Sequence, residues 1–215
     1  MASNAILFIT LALFNFSCIS LAFDPRPLQD FCVVDPTGTA TCKDPKTVTA
    51  NDFFFNLGPG NTSNSYGAGA TFASPATVPG FNTLGQVFVR ADFRPNGYTP
   101  PHTHPRASEL NYVLEGMIEV GFITSYPDYT SYSKILKAGD VFIVPVGLIH
   151  YVRNLAKTNS VVLVAFNSQN PGSIFIPDSV FAAKPPINSR YLAGAFKLDE
   201  NTIKDLQTKP WYRFV

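Results

Sequence analysis

Basic residues never gather into a run in this chain: 16 lysines and arginines are scattered against 15 acidic residues, for a formal net charge of +1. Phosphate backbones are held by clustered positive charge, so nothing here favours nucleic acid as a partner. Charge of either sign is scarce at 14%, while hydrophobic residues reach 46%, with 14 glycines and 18 prolines. That balance excludes a disordered chain and points to a strand-rich, loop-rich globular fold. Sustained helical periodicity is missing between about residues 81 and 176, and no internal repeat or low-complexity tract occurs. Past the amino terminus, no apolar run approaches the roughly 20 residues of a bilayer span. At 215 residues the chain suits one domain with a substantial core.

The first 22 residues, MASNAILFITLALFNFSCISLA, hold no charged side chain and end in Ser20-Leu21-Ala22, a small-x-small cleavage pattern. They read as a secretory signal in which the α-amino group supplies the only positive charge. Cysteine is also scarce, with three in all. Cys18 would leave with the signal, so Cys32 and Cys42 form an even pair in an oxidising compartment and are expected to be bonded. Closing the short loop between them stabilises by about 2 to 3 kcal/mol. Asn61-Thr62-Ser63 is a glycosylation sequon, expected to be exposed and glycosylated in the Gly/Asn/Ser-rich stretch from Gly58 to Gly69. The organisation expected is a signal at 1–22, a disulfide-containing extension at 23–80, a β-barrel core at 81–177 and a helical segment at 178–215.

Within the core, YVLEGMIEVGFI (112–123) reads as one strand, with Tyr112, Leu114, Ile118, Val120 and Phe122 on its buried face. Segments 84–93, 134–146, 150–154 and 161–167 read as further strands between Pro, Gly, Asn and Ser clusters, which suits an antiparallel sandwich or barrel. Lys137-Ala138-Gly139-Asp140 reads as a turn. After Pro177, segments 178–184, 189–196 and 199–209 carry helical periodicity, with Asp178, Ser189 and Asp199 as N-caps. Their stripe of Val180, Phe181, Tyr191, Leu192, Phe196, Ile203 and Leu206 is expected to pack on the barrel, with enough excess to suggest a subunit contact.

The three histidines are His102, His104 and His150. His102 and His104, two apart, can converge from one strand face; Pro105 marks a turn, after which Glu109 can come back toward them. His150 follows the turn Pro145-Val146-Gly147 in an apolar surround, where a buried imidazole needs a partner. Three imidazoles and one carboxylate suit a divalent Mn, Fe, Ni, Cu or Zn ion. An octahedral ion would leave two positions open for chemistry, whereas a closed zinc tetrahedron would be structural. Spacing does not choose between them, nor does it exclude a polar turn holding two imidazoles.

The stretches GYTPPHTHPRASELNYVLEG (97–116) and GDVFIVPVGLIHYVRN (139–154) resemble the two paired boxes of the germin and germin-like branch of the cupins. PLQDFCV (27–33), NTLG (82–85) and FNSQNPG (166–172) are similar as well, so the likeness covers nearly the whole mature chain. It implies a jelly-roll β-barrel with a manganese ion held by His102, His104, Glu109 and His150. It further implies an extracellular, cell-wall-associated plant glycoprotein, assembled as a homo-hexamer, a trimer of dimers locked by the C-terminal helices. Gly116, Gly139 and Gly147 then serve as corners where strands pass between sheets. Asn96 stands where the family usually has glycine, and asparagine tolerates the same left-handed backbone.

Germins proper are oxalate oxidases in which two asparagines hold the substrate carboxylates. The resemblance places Asn82 at the first of these positions and Thr99 at the second. Threonine lacks the amide donor, which disfavours oxalate oxidation. Family members are associated with superoxide dismutation, which asks only for a redox-active ion, an open position and a narrow channel. The alternative from another class is a non-catalytic apoplastic storage or receptor-like cupin, with a structural metal or a pocket for a small carboxylate.

Overall fold

A computed structural model describes residues 29–38 and 41–211. The expected signal, with Cys18, lies outside the described residues. Ten strands are formed among the described residues: β1 (Ala68–Ala73), β2 (Val87–Phe93), β3 (Tyr98–Thr103), β4 (Glu109–Glu115), β5 (Met117–Ile123), β6 (Ser131–Lys137), β7 (Val141–Val144), β8 (Ile149–Asn154), β9 (Ser160–Phe166) and β10 (Ile174–Phe175). They pair antiparallel in two five-stranded sheets, ordered β1-β2-β9-β4-β7 and β10-β3-β8-β5-β6. This is the all-β jelly roll expected from the sequence. SVVLVAF, an apolar run that includes Val161, Val162 and Val164, takes an inner position between β2 and β4, where both of its edges are paired. Inward residues of both sheets meet in one core that includes Val89, Phe93, Val113, Ile118, Val120, Leu136 and Val162. Each such side chain stabilises the fold by about 1.5 to 3 kcal/mol through burial.

Segment 112–123 is not one strand. The chain bends at Gly116, whose φ of 81° is left-handed, and passes from β4 in one sheet to β5 in the other. A side chain at Gly116 would meet Ser160 Oγ at 2.2 Å. The corner also resets the alternation: Ile118 and Val120 are fully buried as expected, but on β4 the inward residues are Glu109, Asn111 and Val113, and Leu114 faces out. Asn154, at the end of β8, clamps this region by donating to the carbonyls of Phe93, Arg94 and Thr158 while accepting from Ser160 Oγ at 2.8 Å. Asn96 adopts φ 61°, so the expected left-handed turn is kept. Lys137 to Asp140 forms the expected turn, with the Asp140 carboxylate accepting from Lys137 N at 2.9 Å.

The sheet begins earlier than residue 81, because β1 pairs with β2 along its whole length and Ala68 lies in the core. Ahead of it, Cys32 and Cys42 are bonded, with Cα atoms 5.1 Å apart. Beyond the barrel lie α1 (Ile176–Phe181), α2 (Ser189–Phe196) and α3 (Glu200–Thr208). Asp199 caps α3 as expected, accepting from Thr202 N at 2.8 Å. The cap of α2 is Asn188 rather than Ser189, and α1 starts at Ile176, which puts Asp178 in its first turn. Among the described residues α1 packs mainly on β3 and β10 and also meets α3, while α2 and α3, with Leu192 and Ile203 buried, pack chiefly on each other, so most of the helical stripe packs helix on helix.

Candidate metal centre

Two prolines position the first histidine. Thr99 pairs with Val152 across β3 and β8, yet His102 pairs with His150, so β3 carries one extra residue between them. The insertion falls at Pro100-Pro101, neither of which can donate to the ladder. This bulge turns Thr99 and His102, three apart, to the same interior face. His104 follows at the end of the strand, and the turn through Pro105 returns the chain to Glu109 at the start of β4, in the opposite sheet.

His102, His104, Glu109 and His150 are all buried, and one ligand atom from each lies within 4.8 Å of the others. Glu109 Oε2 stands 2.9 Å from His150 Nε2 and 3.1 Å from His104 Nε2. Each imidazole turns Nδ1 to a backbone carbonyl: His102 to Pro100 at 2.9 Å, His150 to Leu148 at 3.0 Å, and His104 to Gly172. A carbonyl only accepts, so each Nδ1 holds a proton and the main chain sets the ring orientation; at His104 and His150, Nε2 donates to Glu109 when protonated and offers its lone pair to an ion once that proton is released. Phe175 stacks on His102 at 5.0 Å, and Phe166 meets His104 edge-on at 4.5 Å.

Burial, aided by the neighbouring His150, drives the His102 imidazole down to about 3, which keeps it neutral and available as a ligand. Burial alone would raise Glu109, but hydrogen bonds to His104 and His150 outweigh it and hold the carboxyl well below its usual range. Burial would lower His150; its contact with the Glu109 carboxylate wins and raises it. A positive charge is therefore favoured between carboxylate and imidazoles. The donor set fits a divalent cation: metal–donor bonds of about 2.1 Å set adjacent donors roughly 3 Å apart, as the Glu109 contacts are.

Beside the cluster lies a cavity of about 70 Å³, walled by Val89, Phe93, Val152, Val162, Val164 and Phe166 and lined as well by Thr99 and Asn111. Thr99 lies on β3, in the wall of this cavity. Its hydroxyl is bonded to the β8 main chain, accepting from Val152 N at 3.1 Å and donating to Val152 O at 3.4 Å. Asn82 is elsewhere: it follows a 3-10 turn, Pro79–Phe81, and donates to Cys32 Sγ at 3.3 Å, outside the set of residues that line the cavity. The NTLG stretch belongs to the disulfide region, not to the pocket. A single strand over 112–123 would put Tyr112 inside; the Gly116 corner puts its neighbour Asn111 there instead.

A small jelly roll enclosing three imidazoles and a carboxylate is the architecture of a cupin, and a family model described as Cupin matches residues 55–204. The chain is 48% identical over 195 residues to germin-like protein subfamily 1 member 3 of Arabidopsis thaliana, covering 86% of this chain and 84% of that one. It is 46% identical over 200 residues to germin-like protein 8-6 of Oryza sativa subsp. japonica, covering 89% of each. Among solved structures it is similar to an oxalate oxidase, at a TM-score of 0.81 and 39% identity, covering 86% of this chain and 97% of that one. The chain belongs to the germin-like branch of the cupin family.

Proposed function

We propose that this chain is a secreted germin-like protein of the plant cell wall that binds manganese through His102, His104, Glu109 and His150 and dismutates superoxide. The observation that carries this reading is the convergence of three inward Nε2 atoms and one carboxylate beside a small apolar cavity. Manganese follows from the germin resemblance and suits a mixed nitrogen and oxygen donor set. When bound, such an ion supplies a one-electron couple, and the net reaction turns two superoxide ions and two protons into dioxygen and hydrogen peroxide. The chain's own part is to hold the His102 imidazole neutral by burial, orient all three rings through main-chain carbonyls, and restrict the cavity to small species. Oxalate oxidation is disfavoured. The Thr99 hydroxyl is already bonded to β8 and Asn82 stands at the disulfide, so neither is free to hold a substrate carboxylate.

Secretion is supported by the pattern of residues 1–22 and by the Cys32–Cys42 bond. Glycosylation at Asn61 is supported by its exposure. Assembly into a hexamer is supported by an outward apolar patch on β4 and β7, where Leu110, Leu114, Val141 and Ile143 are all exposed. The test is to purify the protein from its secreted form, load it with manganese, and follow superoxide loss and peroxide production together with metal content and mass. A manganese-loaded hexamer without dismutase activity removes the catalytic reading and leaves the non-catalytic one.

A further inference from the structure

The carbonyls that steer the three imidazoles come from different distances along the chain. His102 and His150 turn Nδ1 to Pro100 O and Leu148 O, each two residues earlier, so the acceptor arrives with the ligand. His104 depends instead on Gly172 O, 68 residues away. A contact of that kind must itself be held. The holder is Arg106, which fastens the link between β9 and β10: its main-chain N donates to Pro171 O at 3.1 Å, its Nε to Asn170 O at 2.8 Å and its Nη2 to Asn170 Oδ1 at 2.8 Å. The two segments are closely fitted, since a Cβ on Gly172, at φ 70°, would meet Arg106 Nη2 at 2.8 Å.

We infer that Arg106 is a positioning residue of the metal centre: by gripping Asn170 it sets the Gly172 carbonyl against His104 Nδ1 and so aims His104 Nε2 at the ion. This rests on the metal reading above. The guanidinium presents its donors in a rigid fork, which fixes the orientation of the residue it grips as well as its distance. Without the grip, the Gly172 carbonyl drifts, and the His104 ring loses both its orientation and the reason to keep its proton on Nδ1. Re-ordering that ring then costs part of the metal affinity. His102 and His150 keep their aim, so the defect falls on one ligand of the four. The acceptors are neutral and Arg106 is exposed, so the same contacts add little to the stability of the whole fold.

The experiment compares the secreted wild-type protein with Arg106→Ala and Asn170→Ala. Manganese affinity is read by chelator competition, and the bound ion by the fine structure of its electron paramagnetic resonance signal. Proton–nitrogen NMR of histidine-labelled, metal-free protein reads the Nδ1 protons, and thermal unfolding of the same sample reads stability. Arg106→Ala is expected to bind manganese about tenfold more weakly and with an altered fine structure. It should lose exchange protection at one Nδ1 proton while unfolding close to the wild-type temperature. Asn170→Ala removes only the Oδ1 acceptor and is expected to shift the same readings less; it supplies them should Arg106→Ala fail to fold. Three protected Nδ1 protons in Arg106→Ala, or weaker binding with an unaltered fine structure, overturns the inference. Wild type that binds no manganese removes the metal reading beneath it, and the Nδ1 protons of the metal-free protein then still decide whether Arg106 orients His104.

Discussion

His102 on β3 and His150 on β8 are direct cross-strand partners, their ring centroids 4.1 Å apart. His102 stands three residues from Thr99, and the extra residue at Pro100-Pro101 is what lets both face the interior. Deleting Pro101 would leave His102 two residues from Thr99, in plain register, still inward and still opposite His150. The expected result is a protein that keeps its β-sheet circular dichroism and its metal. Loss of most of the metal would show that the bulge itself, and not the face it preserves, positions the ligand.

Replacing His104 by Ala removes one donor and leaves the Glu109 carboxylate with one imidazole contact in place of two. Metal content and dismutase activity are expected to fall together while the oligomer persists, as read by atomic spectroscopy and light scattering. Loss of thermal stability in a protein that was never active would instead support a structural ion.

The metal-free protein should lose stability in acid. His102 has a folded pKa of about 3 against an ordinary value of 6.5, so between these the unfolded chain binds more protons and stability falls as pH drops. Glu109, held below its usual range, adds a loss that begins below its unfolded value of about 4.3. His150 has the opposite sign: its raised pKa contributes below the unfolded value and fades as pH rises through the folded one. Thermal unfolding across pH 7 to pH 4 tests this. His102→Phe, which keeps a ring against Phe175, should flatten the upper part of the acid limb, and an unchanged slope would count against the assignment.

Gly116→Ala should destabilise by about 1 to 3 kcal/mol, because it forces a left-handed alanine and its Cβ meets Ser160 Oγ at 2.2 Å. Ile118→Ala, at a fully buried position two residues further on in β5, should cost about 2 to 5 kcal/mol. Urea unfolding of both variants measures the two effects, and a neutral Gly116→Ala would contradict the corner geometry.

Opening the disulfide by paired Cys32→Ser and Cys42→Ser substitutions should cost about 2 to 3 kcal/mol through loop entropy. Since Asn82 bonds Cys32 Sγ and not the cavity, ligand binding in this variant should match wild type once it is folded.

Much of the site was legible because its residues are rare: with three histidines in the chain, H-x-H, a following glutamate and a later histidine had few other arrangements to adopt. The jelly roll was legible from short apolar runs between turn residues. What was hidden is what alternation cannot count. A proline pair adds a residue to β3, and a corner at Gly116 resets the face of β4, so Asn111 moves inside and Leu114 outside. Asn82 was misplaced because similarity in a short stretch says nothing of which wall a loop lies against. The helices were seen, but their docking on one another depends on tertiary contacts that periodicity does not encode.

Glu109 belongs to one sheet and His102 and His150 to the other. The distance between the two leaves of the barrel is thus also the distance between acid and imidazole, and the same elastic mode governs both. Remote changes of core volume, at Leu136 or Val162 for instance, would widen or pinch the polygon of donors and so retune cation affinity without touching a single ligand.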